Sequence, residues 1–209
     1  MENFPWISFA VFALVGSITP GPNVIMLASS GSAFGFRRTL PHVLGITFGF
    51  PLMLLLVQFG ADAVFKIVPW LFSVLIILSL IYVIWLSIKI FKLAFAEDLA
   101  LDPSAKPFSF LQAAGFQWIN GKAWQIAIMV ATLYPSQQPQ TKILGSFLFA
   151  VITFLSCALW VEIGKRIAVL LSTTWIKRTY YSALAVSLLL ATVPGGIKQF
   201  LSWAWARAP

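Results

Sequence analysis

The sequence has a single cysteine, Cys157, and a single histidine, His42. An intramolecular disulfide, a Cys/His zinc cluster and a paired-histidine iron or zinc site are therefore excluded, and no metal or other cofactor is expected. Charge is scarce as well. Asp, Glu, Lys and Arg make up 10% of the 209 residues, where soluble chains carry about 25%. Apolar residues take their place: 60% of the chain is hydrophobic and the mean hydropathy is +0.91. With that composition much of the surface of any fold must be apolar, which lipid accepts and water does not. The expected solvent is a lipid bilayer, and the expected class is an integral membrane protein.

Acidic residues are the scarcest charged class, six against fourteen Lys and Arg, for a net charge of +8. In a soluble chain this balance would suggest nucleic acid. No basic patch here is interleaved with stacking aromatics, so nucleic acid is not an expected partner. In a membrane chain the same excess reads as cytoplasmic loops anchored by positive charge.

Apolar stretches run over 4–30, 40–59, 70–90, 108–134, 143–163 and 180–197, each near the ~20 residues that a bilayer core requires. The first has only Glu2 before it and no small-x-small cleavage site after it, so it reads as an uncleaved span. The runs are continuously apolar for about twice the length of an alternating barrel strand, and in hydrocarbon a helix satisfies its own backbone. The sequence thus predicts an all-α membrane protein of six spans. The first, third and fifth connections hold nine Lys and Arg, among them Arg37, Arg38, Lys165 and Arg178. The opposite side holds Lys66, Lys142, Lys198 and Arg207. That asymmetry puts the odd connections in the cytoplasm and both termini outside, where Trp6, Trp70, Tyr134, Trp203 and Trp205 would line the outer interface.

Two spans are interrupted. The first contains "TPGPN", Thr19 to Asn23, and the fourth "INGKAW", Ile119 to Trp124, about a hundred residues later. Dividing the single transporter domain at a linker over 97–107 leaves three spans in 1–96 and three in 108–209. An odd number per half inserts the second half upside down, which is the pattern of an inverted repeat with a break in each half. Pro20 and Pro22 have no N–H, so the carbonyls of Gly16 and Ile18 lose their helical partners, and Gly21 lets the chain bend. Freed carbonyls suit an ammonium group, and the N–H groups after Asn23 suit a carboxylate. A proline kink that only shapes packing is the alternative for one Pro; two prolines, a glycine and an asparagine within five residues favour a site. In the fourth span, Lys122 interrupts an apolar run at a cost of ~3 kcal/mol, so it should face the interior and have a partner or ligand rather than snorkel to an interface. Gln117, Asn120 and Gln125 add amides beside it.

Other residues carry weaker signals. Glu162 stands three residues before Lys165, which favours an interfacial ion pair over a proton relay. His42 titrates near neutrality and is a candidate for proton coupling, although a hydrogen-bonded structural role fits it better. Gly31 with Gly35, and Gly45 with Gly49, read as small-xxx-small pairs for close helix packing.

At these residues the chain resembles the lysine-exporter-type (LysE/RhtB) family of small amino-acid exporters. The resemblance runs almost end to end, through "SITPGPN", "GFRRTLPHVLGITFGF", "IYVIWLSIKI" and "GFQWINGKAW". It implies a bacterial inner-membrane exporter of amino acids or related small metabolites, driven by protons, with a homodimer compatible with the pattern. The family's first motif falls on Pro20, Gly21, Pro22 and Asn23. Its Asn-Pro-Lys motif falls on Asn120, Gly121 and Lys122, with glycine replacing the family's proline. Gly121 keeps its N–H, so the carbonyl of Gln117 need not be freed. Ser79 and Ser87 stand where the family's third span has glycine.

The expected function is export through a midplane site between the two broken helices. Gly16, Ile18, Thr19, Pro20, Gly21, Pro22 and Asn23 would face Gln117, Asn120, Gly121 and Lys122 across it. Lys122 would hold the substrate carboxylate, and the Gly16 and Ile18 carbonyls its ammonium group. A channel or a transporter for other small solutes or ions is the second reading, against which a fixed cation at Lys122 argues. An intramembrane enzyme lacks a paired acid and base, a metal cluster and a Gly-x-Ser-x-Gly elbow.

Overall fold

A computed structural model describes residues 4–19, 21–61, 69–95 and 106–205. Among them every regular element is helical. Helix α1 is Trp6–Ile18 and α2 is Pro22–Leu56, extended by a π-helical turn Val57–Ala61. Helix α3 is Pro69–Leu93, and α4 is Phe110–Phe116 followed by a 3-10 turn Gln117–Ile119. Helix α5 is Gly121–Leu133, α6 is Pro139–Ala168 with a 3-10 turn Val169–Ser172, and α7 is Thr174–Trp205. Among the described residues, three segments are long and apolar enough to cross a bilayer: Pro22–Gly60, Ile76–Leu93 and Pro139–Leu171. Pro20, the connection over 62–68 and the linker over 97–105 lie outside the described residues.

Local chemistry explains several of the element boundaries. Pro22 opens α2 at its first position, where a missing N–H costs nothing. Ser109 opens α4 with a capping box: its hydroxyl accepts from the Gln112 N–H at 3.3 Å, and the Gln112 side chain accepts from the Ser109 N–H at 3.0 Å. The connection expected at Arg37 and Arg38 is instead one residue, Gly35, whose φ of 73° and ψ of 177° turn the chain inside the bounds of α2. Only glycine adopts that conformation readily. A Cβ at Gly35 would meet nothing within 4 Å, so its role is the turn and not the helix packing expected of the Gly31 and Gly35 pair.

Gly31 does pack, and it packs on a different glycine's helix. A Cβ there would run into the Val161 carbonyl on α6, and a Cβ at Gly164 on α6 would run into the Ala28 carbonyl on α2. The two backbones therefore touch at two points, a seam that side chains of any size would open. Gly45 and Gly49 press α2 against α4, where added Cβ atoms would stand 2.6 Å from the Ala113 Cβ and 2.6 Å from the Ala114 Cα. Helix α1 also lies on α6, and α3 lies along α7.

Around these contacts sit three apolar clusters. One joins Phe9, Phe50, Met53, Trp124 and Phe149, a second joins Val24, Val83, Tyr181 and Leu188, and a third joins Leu27, Val43, Ile46 and Val161. The outward faces are also apolar. Ile77, Ile81, Ile84 and Ile88 are exposed along α3, and Leu144, Phe147, Val151 and Leu155 along α6. Their three- and four-residue spacing marks one face per helix turned away from the core. That arrangement suits hydrocarbon and not water.

Candidate functional site

Between α1 and α2 the chain leaves helical geometry at Thr19, whose ψ is 141°, and Gly21 is fully extended. The carbonyls released at the end of α1 are the ones expected to be free, but they have donors. The Thr19 hydroxyl donates to Gly16 O at 3.4 Å, Ser156 Oγ to Ser17 O at 2.9 Å, and Trp160 Nε1 to Ile18 O at 3.2 Å. The expectation of open Gly16 and Ile18 carbonyls is corrected accordingly. Thr19 itself, at Gly16 O, and Trp160 of α6, at Ile18 O, do what the missing proline N–H groups cannot, because an unpaired carbonyl buried away from water costs about 1–3 kcal/mol.

Before α5, the 3-10 turn Gln117–Ile119 ends at Asn120, which has a ψ of 104°. The Asn120 side chain accepts from the Lys122 N–H at 3.1 Å and so caps α5. The Gln117 carbonyl accepts from the Asn120 N–H at 3.3 Å, a bond that does not involve the N–H of Gly121.

The two interruptions meet. Lys122 Nζ donates to Thr19 O at 2.7 Å and to Thr19 Oγ1 at 2.9 Å, across 103 residues of sequence. Gly21 makes room for it: a Cβ there would stand 2.7 Å from Lys122 Cδ and 3.1 Å from Nζ. Asn23 and Gln117 join the same two segments through reciprocal amide bonds, Asn23 Nδ2 to Gln117 Oε1 at 2.8 Å and Gln117 Nε2 to Asn23 Oδ1 at 3.2 Å. Gln117 Nε2 also donates to Ala113 O at 2.9 Å, which fixes the amide's orientation.

A cavity opens beside Lys122. Its volume is ≈ 50 Å³. Of the residues expected at the site, Gly16, Thr19, Gly21, Asn23, Asn120 and Lys122 line it. Gln117 is fully buried behind Asn23. Ile18 is not in the lining, and neither are Pro22 and Gly121, which form the first turns of α2 and α5. Lys122 is the only charged side chain among the described lining residues, and the rest of the polar wall is hydroxyl and amide. A site of this kind complements a carboxylate, which can form a charge-assisted bond where no protein anion competes.

His42 and Glu162 stand elsewhere, and neither lines the cavity. His42 is 2% exposed, its ring centroid 5.2 Å from that of Phe108. Its two nitrogens have no hydrogen-bond partner among the described residues. Glu162 is paired at 3.2 Å with Lys165 and at 3.2 Å with Arg166 on the surface of α6.

The sequence reading missed the α6 wall. Thr153 and Cys157 line the cavity, Thr153 Oγ1 lies 3.3 Å from Ser17 Oγ, and Ser156 and Trp160 hold the end of α1. A signal was present in the four-residue steps from Thr153 to Cys157 and from Ser156 to Trp160, which put small polar groups on one side of an otherwise apolar helix.

Comparison with known proteins places this geometry. A cysteine/O-acetylserine efflux protein of Salmonella typhimurium is 30% identical over 162 residues, covering 75% of this chain and 80% of the relative. The protein of that description in Escherichia coli strain K12 is 28% identical over 160 residues, with the same coverage. No solved structure matches. The family described as LysE type translocator matches residues 14–194. A match over most of the chain, joined to apolar helices, makes the protein a membrane translocator rather than an enzyme, and the chain belongs to the LysE type translocator family.

Proposed function

We propose that the protein exports amino acids or related small metabolites across the bacterial inner membrane, and that the cavity between the two interruptions is its substrate site. The observation that carries this reading is the Lys122 ammonium, which reaches from one interruption to Thr19 of the other at 2.7 Å and lines the cavity. In this account the substrate carboxylate takes Lys122. Its ammonium group takes the hydroxyl oxygens of Ser17 and Thr153, which line the same cavity and replace the Gly16 and Ile18 carbonyls as acceptors. The relatives' names, efflux proteins for cysteine and O-acetylserine, support an amino-acid substrate.

The transport cycle is that of two inverted three-helix halves, 1–96 and 108–209, rocking about a fixed midplane site, with both termini outside and the proton gradient driving export. The contact between Gly21 and Lys122 supports the meeting of the halves that such a repeat requires. A reporter fused at Pro209 that is active only outside the cytoplasm is the expected topology result; activity only inside contradicts it.

The function is tested by profiling metabolites in the medium of cells overexpressing the wild type or Lys122→Ala. One or a few amino acids should be enriched by the wild type alone, and collapse of the proton gradient should abolish the enrichment. Identical media from the two strains would refute the proposal.

A further inference from the structure

The proposed substrate site needs a way out, and this inference rests on that reading. Helix α1 ends at the cavity and α5 begins there, so the two run in opposite directions beside it. Side chains of the α5 segment meet α1 at three levels: Lys122 at Thr19, Ile126 opposite Gly16, and Tyr134 at Ser8. Tyr134 Oη lies 2.9 Å from Ser8 Oγ and donates to Ser8 O at 3.2 Å. Between these levels aromatic rings fill the space. Phe149 lines the cavity, Phe9 stands edge-on to it at 6.1 Å, and Tyr134 stands edge-on to Phe9 at 5.3 Å. Phe4 completes the column, 5.5 Å from Phe9 and 6.3 Å from Tyr134. It leads from the cavity wall to the end of the molecule that carries Trp6 and Tyr134.

Helix α1 is fastened unequally along its length. At the cavity, Ser156 and Trp160 bond the Ser17 and Ile18 carbonyls and Lys122 bonds that of Thr19. At the far end it is held by the Phe9 ring and the Tyr134 bonds to Ser8, while Ile7, Val11 and Leu14 face outwards. A Cβ at Gly16 would meet side-chain atoms of Ile126 and Phe149, at 3.4 Å and beyond. The other end of the cavity is closed differently. Along α6, Phe149 and Cys157 line the cavity and Gly164 follows, where the Gly31 and Gly164 contacts bring the backbones of α2 and α6 together. Edge-on rings can rotate aside one at a time, whereas touching backbones part only when a whole helix moves. We propose that α1 is the gate of the cavity at the Tyr134 end: it swings on the extended backbone at Thr19 and Gly21, and substrate leaves between Phe9 and Tyr134 once the Tyr134–Ser8 latch is broken. A few residues at the end of an element suffice to absorb such a swing, and the non-helical ψ of Thr19 and extended Gly21 place them there. On the proposed topology this gate opens outwards.

Cys157, the single thiol of the chain, lines the cavity and so reports its opening. A membrane-impermeant methanethiosulfonate is added to right-side-out or inside-out vesicles bearing the full chain, and modification of Cys157 is followed by mass. Tyr134→Phe keeps the ring and strips both bonds to Ser8, so labelling in right-side-out vesicles should quicken about tenfold, with no rise in inside-out vesicles. Ser8→Ala leaves the bond to Ser8 O and should quicken it less, about threefold. In a second arm, Ser8→Cys with Tyr134→Cys is bridged by a flexible bis-methanethiosulfonate. Export should stop and return on reduction, while each single variant loses no more export than the wild type under the same reagent. Labelling at the wild-type rate in Tyr134→Phe, labelling that quickens only in inside-out vesicles, or undiminished export by the bridged protein would overturn the gate. Quickened labelling without any Lys122-dependent export would keep the gate and overturn the proposed function instead.

Discussion

The two interruptions are held together in different ways. At Thr19 and Gly21 the loose carbonyls of α1 are bonded by Ser156, Trp160 and Lys122, which lie 139, 142 and 103 residues away. At Asn120 the partners are near neighbours: Asn120 caps Lys122 two residues on, Gln117 O takes the Asn120 N–H, and Trp124 Nε1 donates to Trp118 O at 2.8 Å. The sequence difference that accompanies this is two prolines, Pro20 and Pro22, at the first interruption and none at the second. A proline break removes N–H donors, and here Thr19 replaces one locally while α6 and Lys122 supply the others from a distance. The first interruption is therefore a property of the assembled bundle, and the second a property of its own segment, able to act as a post on which Lys122 is mounted.

The largest effect should come from forcing the first interruption away from that post. Gly21→Val puts a Cβ 2.7 Å from Lys122 Cδ and 3.1 Å from Nζ, so the lysine must move, and displacement of a binding group by about 1 Å can cost two orders of magnitude in rate. Export by this variant should fall below about a tenth of wild type, and a variant that exports normally would show that the contact is incidental. Next comes the loss of the borrowed donors. Ser156→Ala with Trp160→Phe strips the Ser17 and Ile18 carbonyls, at about 1–3 kcal/mol each, and thermal unfolding in detergent should occur at a clearly lower temperature.

Smaller effects should come from the amide pair that joins the two interruptions and from the local cap of the second. Asn23→Ala removes one partner of the Gln117 amide but leaves its bond to Ala113 O. Transport should drop several-fold with the protein folded, as read from initial rates at matched accumulation. Asn120→Ala removes one helix cap, worth about 1 kcal/mol, and should shift unfolding less than the Ser156 and Trp160 pair. If Asn120→Ala proved the more damaging of the two, the contrast between borrowed and local partners would fail.

This contrast also explains what could be read from the sequence. The apolar runs, the proline-glycine interruption and the inward-facing lysine follow from composition and local chemistry, because a missing N–H or a charge in an apolar run has the same consequence in any fold. Which carbonyls of α1 receive donors was not legible: the four-residue step from Ser156 to Trp160 marks one side of α6, but only the packing of α6 on α1 sets Ser156 on Ser17 O and Trp160 on Ile18 O. The Gly35 turn was hidden for a related reason. Its spacing from Gly31 fits helix packing equally well, and only the positive φ separates the two roles. Gly164 gave no signal at all, because its partner surface is a backbone carbonyl 136 residues away, at Ala28.

The central claim is that the two interruptions form one substrate site with Lys122 as its cation. Lys122→Met tests it most directly, because it keeps the stem, removes the charge and should ease insertion by up to ~3 kcal/mol. Export of the identified amino acid should be measured for wild type and Lys122→Met at equal amounts of protein in the membrane. Normal accumulation with export at background is the expected result; normal accumulation with wild-type export would contradict the account and leave Lys122 a structural strut between Thr19 and α5.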